Sequence, residues 1–349
     1  MKRFYSHILA TKKHLHATSL MQAYGSVQPH LSVQNSLKTN QANNYVVNII
    51  RKTQSATLFS LACLLILGSV WGSTIVIMKH VVSTGHQPFG LIFWQLALGA
   101  VLLSVIARWR GIPLPMSWVH IRFYTIVALT GTIIPNTFSY IGAAHLPAGL
   151  LAIGIATVPM FSLLVALLIQ SERFNGIRML GIFLGAIAIL LILGPEADFG
   201  SQGTGLFMLL ALIAPLFYGI EGNYLALKLP PKMSPITTFR GASIIGLVIC
   251  TPITLATDSW VDLSETWTSV EWAILANSLL HVITYTGYIW LVGRTGAVFA
   301  SQVAYIVTLS GVFLGITILG ETHSPLVWLA LVFMLLGLVL VQPRKTPDP

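Results

Sequence analysis

The residues able to do chemistry in this chain lie inside long apolar runs. Asn277, His281, Tyr285 and Tyr288 follow one another at i, i+4, i+8 and i+11, a spacing that puts all four on one face of a helix. Thr132, Asn136 and Tyr140 form a shorter echo interrupted by Pro135, and Ser301, Tyr305 and Thr308, with Gln302 adjacent, form a third set. Amides, phenols and an imidazole can bind a small polar solute, and they can equally hold helices together by hydrogen bonds. Polar groups in hydrocarbon are costly and turn toward a bundle interior, so these are candidate walls of a central cavity. Glu221 is the one acid well inside an apolar run, and Arg240 enters the next run from the same end. The two admit an ion pair; the sharper alternative makes Glu221 a proton or substrate-amine site. His281 sits at the centre of the long stripe, and an imidazole can take and release a proton in the physiological range.

Other chemistries have no signature here. HExxH, GxSxG and the phosphate-binding GxxxxGK[ST] are absent from the sequence. Cys63 and Cys250 each lie in an apolar run, which gives neither a disulfide framework nor a CxxC metal site. No metal or cofactor is implied. Without a nucleotide loop, any transport must be passive or coupled to an ion gradient.

The elements that carry these residues follow from composition. Of 349 residues, 55% are apolar and 8% are Asp, Glu, Lys or Arg, against about 25% charged in a soluble domain. That excludes an ordinary soluble enzyme, a disordered protein and a nucleic-acid-binding domain. An apolar segment of roughly 20 residues crosses a bilayer as a helix. Ten such segments are predicted, at 57–79, 88–107, 121–142, 148–169, 176–193, 204–226, 237–256, 271–292, 296–318 and 325–342. Eighteen of the 19 Lys and Arg fall in the tails or in alternate connectors, and Lys79 alone falls on the other side with most of the acids. By the positive-inside rule both termini are cytoplasmic. Trp260, Trp267 and Trp272 fit one interfacial belt, and Trp109 and Trp118 the other.

The chain also repeats itself at a spacing near 149. Ala148-Gly149 through Glu172-Arg173 reads against Ala297-Val298 through Glu321-Thr322, and Asn175-Gly176 falls on Ser324-Pro325. Asn, Ser and Pro are helix-start residues. Trp71-Gly72 matches Tyr218-Gly219, and Lys79 matches Lys228. Each half holds five spans, an odd number, so the second half enters from the opposite side. The expected fold is an all-α integral membrane protein of ten transmembrane helices in two inverted five-helix repeats, 56–194 and 204–342. A basic, acid-free cytoplasmic tail precedes them (1–55), and a short one follows (343–349). The first tail reads as a disordered lipid-attracted segment, with an upstream-assigned start or an organellar transit peptide as alternatives. Inverted repeats can rock about a midplane site and expose it to alternate sides.

The 5+5 repeat, the Trp71-Gly72-Ser73-Thr74 start of the first span and the span-end Glu172 and Glu321 resemble the drug/metabolite transporter superfamily, EamA type, over about residues 57–342. The resemblance implies a ten-helix carrier that exports small metabolites or amino acids across the cell membrane, the inner membrane of a bacterium. It adds Trp71 to the cavity candidates. Relatives often carry an Arg early in the second and seventh spans; Arg240 fits the seventh, but the second has Gln95. The expected partners are a small-molecule substrate and the lipid bilayer, with proton coupling and a homodimer as further possibilities and no nucleic acid. GxxxG at Gly68/Gly72, Gly181/Gly185 and Gly311/Gly315 permits close helix packing within or between protomers. The rival from another class is an intramembrane enzyme acting on a lipid, with His281 and Glu221 as its acid and base.

Single cysteines test the topology. Cysteine at Ser201 or Ser264 is expected to react with an impermeant maleimide from outside intact cells, and cysteine at Asn175 only after permeabilisation. Outside labelling at Asn175 would overturn the span count.

Overall fold

The computed structural model describes residues 59–196, 204–264 and 266–341. The two tails, Ser201 and Glu265 lie outside the described residues. Those described are helices joined by turns and loops, with no strand among them. Among the described residues, nine helices are long and apolar enough to cross a membrane: α1 (Phe59–Val82), α2 (Pro88–Trp109), α3 (Trp118–His145), α4 (Ala148–Leu168), α5 (Gly176–Leu193), α6 (Gly205–Lys228), α7 (Pro235–Ala256), α8 (Ser269–Thr295) and α9 (Ala297–Leu319). A tenth, α10 (Pro325–Val341), has 17 residues, the short end of the range that spans a bilayer at about 1.5 Å per residue.

Helix starts follow the side chains that the sequence put there. Asn175 Oδ1 accepts from the backbone N–H of Ile177 at 3.0 Å and of Arg178 at 3.3 Å, capping α5. Ser234 Oγ accepts from Thr237 N at 3.0 Å at the start of α7. Thr268 and Glu271 form a capping box on α8. Each cap satisfies N–H groups that have no partner inside the helix.

Three of the helices are interrupted where proline removes a backbone donor. A proline cannot bond to the carbonyl four residues before it. Regular helix in α4 stops at Ile155, four before Pro159. In α6 it stops at Ala211, four before Pro215. In α3 a π-turn spans Leu129–Ile133 and contains Gly131, four before Pro135. Helix α9 also breaks, at Ser301 and Gln302, with no proline behind it.

The packing carries the pseudo-twofold relation of the two halves. Helix α2 lies on α7 and α5 on α10, pairs that the repeat maps onto themselves. The second part of α4 lies on α6, and its repeat image is α9 against α1. Two repeat-related glycines allow those two approaches. A Cβ on Gly72 would stand 2.9 Å from Val307 O of α9, and a Cβ on Gly219 would stand 2.8 Å from Ser162 N of α4. The GxxxG pairs are spent in the same way inside the chain: Gly68 faces Ile306, Gly181 faces Gly337, and Gly311 faces Ala152. They therefore lend no support to a homodimer. Trp109 and Trp118 at one end and Trp260, Trp267 and Trp272 at the other are exposed, as interfacial belts require.

Adding one methyl at Gly219 sets it against immovable backbone. Gly219→Ala is expected to destabilise the protein by ~1–3 kcal/mol, the usual cost of overpacking, and Gly72→Ala comparably. Thermal unfolding in detergent measures both; an unchanged melting temperature would contradict the close approach.

Candidate functional site

The proline-disrupted segments surround a cavity. Its volume is ≈ 80 Å³, several times the ~10–15 Å³ that one water needs. Gly154, Ile155 and Val158 at the break in α4, Ala211 at the break in α6, Asn136 and Ser139 after the π-turn, and Ser301 at the break in α9 all line it. Both repeats contribute walls, and no Asp, Glu, Lys or Arg is among the described lining residues.

Three amides and two phenols organise the wall. Asn136 Nδ2 donates to Gln95 Oε1 at 2.7 Å, and Tyr218 OH donates to Asn136 Oδ1 at 3.0 Å. This joins α2, α3 and α6 through one buried asparagine. Asn277 Nδ2 donates to Tyr140 OH at 3.1 Å, tying α8 to α3. The indole of Trp71 packs edge-on against Tyr218, 6.0 Å between centroids, and against Tyr288, 5.7 Å. Trp71 and Tyr218 are repeat-related, so the two halves supply facing aromatic rings to one site.

Of the cavity candidates, Asn277, His281, Tyr288, Asn136, Tyr140 and Trp71 line it. Tyr285 does not. Each four-residue step turns a helix face by about 40°, so Tyr285 stands about 80° from Asn277 while Tyr288 returns to within about 20°. Tyr285 is fully buried instead, stacked on His281 at 5.3 Å and donating to Glu221. Tyr305 and Gln302 also fall off the wall. Val303, Ala304 and Val307 present that side of α9 to the cavity, and Tyr305, two residues from each valine, lies on the opposite side. Gln95 and Tyr218 are lining residues that the sequence marked only indirectly, Gln95 as a departure from the family's Arg and Tyr218 as the repeat partner of Trp71.

The Glu221–Arg240 ion pair is not formed. Arg240 Nε donates to Ser104 Oγ of α2 at 3.0 Å, whereas Glu221 points to α8 and accepts from Tyr285. The close packing of α7 on α2 takes the guanidinium to Ser104, away from Glu221. Glu221 is 0% exposed and does not line the cavity, so it and His281 do not share the single pocket that the lipid-enzyme reading requires.

The span-end glutamates take unequal roles. Glu321 accepts from Ala148 N at 2.5 Å and Gly149 N at 2.9 Å, so a carboxylate from the end of α9 caps the N-terminus of α4. His323 Nε2 lies 3.5 Å from Glu321, and Lys79 Nζ donates to Ala143 O at 2.8 Å beside them. Glu172 pairs with Arg178 at 2.9 Å, and Arg178 Nε donates to Val341 O at the end of α10.

Comparison with known proteins agrees with this architecture. The model of the EamA-like transporter family matches twice, over residues 58–194 and 205–342. An uncharacterized transporter of Synechocystis sp. is 25% identical over 79% of this chain and 87% of its own length. An uncharacterized inner membrane transporter of Escherichia coli (strain K12) is 23% identical over 79% and 88%. An uncharacterized transporter of Bacillus subtilis (strain 168) is 24% identical over 70% and 84%. A solved crystal structure matches with a TM-score of 0.53 at 15% identity, covering 79% of this chain and 97% of that one; it shows a shared fold alone.

Asn136 is the hub of the wall. Asn136→Leu strands the Gln95 carbonyl and the Tyr218 hydroxyl, and a buried group left unpaired costs ~1–3 kcal/mol. A lowered melting temperature in detergent is expected, with a smaller loss for Tyr218→Phe, which removes one bond and leaves the amide pair intact. Equal losses would show that the hub is not shared.

Proposed function

The chain belongs to the EamA-like transporter family, and from that premise we propose that it is a secondary carrier that exports small metabolites or amino acids across the cell membrane by alternating access. The observation that carries this reading is the cavity walled by both repeats, with amide and phenol groups among aromatic rings. Ligand sites of transporters built from inverted repeats lie at the repeat interface. The lining favours a substrate that is small, polar or amphipathic and without net charge, because it offers hydrogen bonds and ring faces but no fixed ion. The location is the inner membrane of a bacterium, with both termini cytoplasmic as the charge bias requires.

The unequal glutamates suggest how the two access states differ. Glu172 is the repeat image of Glu321, and Ala297-Val298 is the image of Ala148-Gly149. In the state described, Glu321 ties α9 to the start of α4, while Glu172 is held by Arg178. Exchange of the two repeats' conformations releases Glu321 and brings Glu172 to the N-terminus of α9. A carboxylate at a helix N-terminus is stabilised by the free N–H groups and the helix dipole, so each lock holds one state.

Reconstituted protein tests the carrier. Counterflow of a radiolabelled panel of amino acids and small metabolites is expected for at least one member, and none for empty vesicles. Absence of counterflow across the panel would count against transport. Glu321→Ala is expected to speed maleimide labelling of a cysteine at Ser139 in the cavity wall, and Glu172→Ala to slow it; equal rates in both variants would remove the glutamates from the gate.

A further inference from the structure

Glu221 is a buried carboxyl of the bundle that the cavity does not use. It is 0% exposed, one carboxyl oxygen accepts from Tyr285, and the other, Oε2, has no hydrogen-bond partner. Among the described residues its carboxyl has no salt-bridge partner. A charge in such a place is expensive unless it is paired, and an ionisable side chain inside a membrane marks a functional site by default.

The fold makes room for this carboxyl. Gly131 lies against it, and a Cβ there would collide with both the Glu221 carboxyl and the Tyr285 hydroxyl. Gly131 stands within the π-turn Leu129–Ile133, a distortion found most often at functional sites. A glycine within a π-turn therefore leaves the space in which this acid sits.

The groups facing Glu221 can be named from each neighbouring helix. Helix α8 presents Tyr285 and, within electrostatic reach, Tyr288. On its own helix Tyr218 is also within reach. Behind Tyr285 stands His281, stacked on its ring, with Nε2 buried and unpartnered. Helix α7 presents Phe239 to both rings, and its Arg240 is bonded to Ser104. Helix α3 presents Gly131, and α4 presents Ser162 to the neighbouring Asn223. No cation among these neutralises the carboxylate.

We propose that Glu221 is the coupling-ion site of this carrier and that the ion is a proton. The inference rests on the carrier reading above. One proton adds to the free Oε2, converting carboxylate to carboxylic acid, while the Tyr285 bond to the other oxygen is kept. The same proton leaves on the opposite side in each cycle, in exchange for one substrate molecule. The link to substrate runs through Tyr218 and Tyr288. Both line the cavity against Trp71 and both feel the carboxyl charge, so protonation changes the wall that the substrate touches.

Two measurements test this on the reconstituted full-length protein. An infrared pH titration without substrate should show a buried carboxylic-acid C=O band that titrates with pH, is absent in Glu221→Gln and moves in frequency in Tyr285→Phe. A spectrum with no titrating band assignable to Glu221 overturns the site. In vesicles, the panel member that shows counterflow is then driven by a pH gradient. Glu221→Gln keeps the Tyr285 bond but cannot take the proton, so gradient-driven accumulation should fall relative to its own counterflow by about tenfold or more, the scale of coupling between linked sites. A wild-type ratio of the two fluxes in Glu221→Gln overturns the proton site and leaves the carrier standing. Absence of counterflow in the wild type overturns the carrier, and the infrared band then judges the proton site by itself. If Glu221→Gln does not fold, the frequency shift in Tyr285→Phe carries the same decision.

Discussion

A hydrocarbon solvent offers no hydrogen bonds, and that constraint places the polar groups of this bundle. Regular helices satisfy their own backbone, so trouble concentrates wherever a helix is broken. Three breaks fall four residues before a proline, in α3, α4 and α6. The breaks in α4 and α6 and the segment that follows the π-turn of α3 line one cavity, where amides and hydroxyls from neighbouring helices are available. The site is therefore made by defects: a membrane helix tolerates irregular backbone only where protein or a cavity covers it.

The same constraint explains why the wall is a network instead of a set of independent ligands. Asn136 is held by Gln95 and Tyr218, and Tyr140 by Asn277. Each bond joins different helices, so the wall also fastens the bundle. The two readings of interior polar residues, cavity lining and interhelical glue, are not exclusive here. On the proposed carrier reading, a substrate in the cavity would compete with bonds that hold the helices, which would give binding a direct handle on helix position.

Pseudo-symmetry supplies the rest. Gly72 and Gly219 let α1 and α6 sit on the backbones of α9 and α4, and Trp71 and Tyr218, one residue before each glycine, meet in the cavity. Glu172 and Glu321 break the symmetry, one held in a salt bridge and the other at a helix terminus. Two similar halves in unlike arrangements are what an alternating carrier needs, since exchanging the arrangements yields a second state of nearly equal energy.

Apolar run length was enough to determine the membrane helices, because burial in lipid demands some 20 apolar residues per span whatever the helices do next, and self-similarity at a spacing near 149 was enough to determine their repeat. The stripe on α8 was legible for the same reason: helical periodicity puts Asn277, His281 and Tyr288 on one side. Periodicity cannot say which element faces that side. Tyr285 drifted off it toward Glu221, and Tyr305 and Gln302 were turned away by the orientation of α9. Arg240 met Ser104 and not Glu221, since packing of α7 on α2 fixes where a long side chain can reach. The helix cap from Glu321 to Ala148 joins residues 173 positions apart. Contacts of that range depend on how helices pack, and packing is a property of the assembled surfaces, which no local spacing encodes.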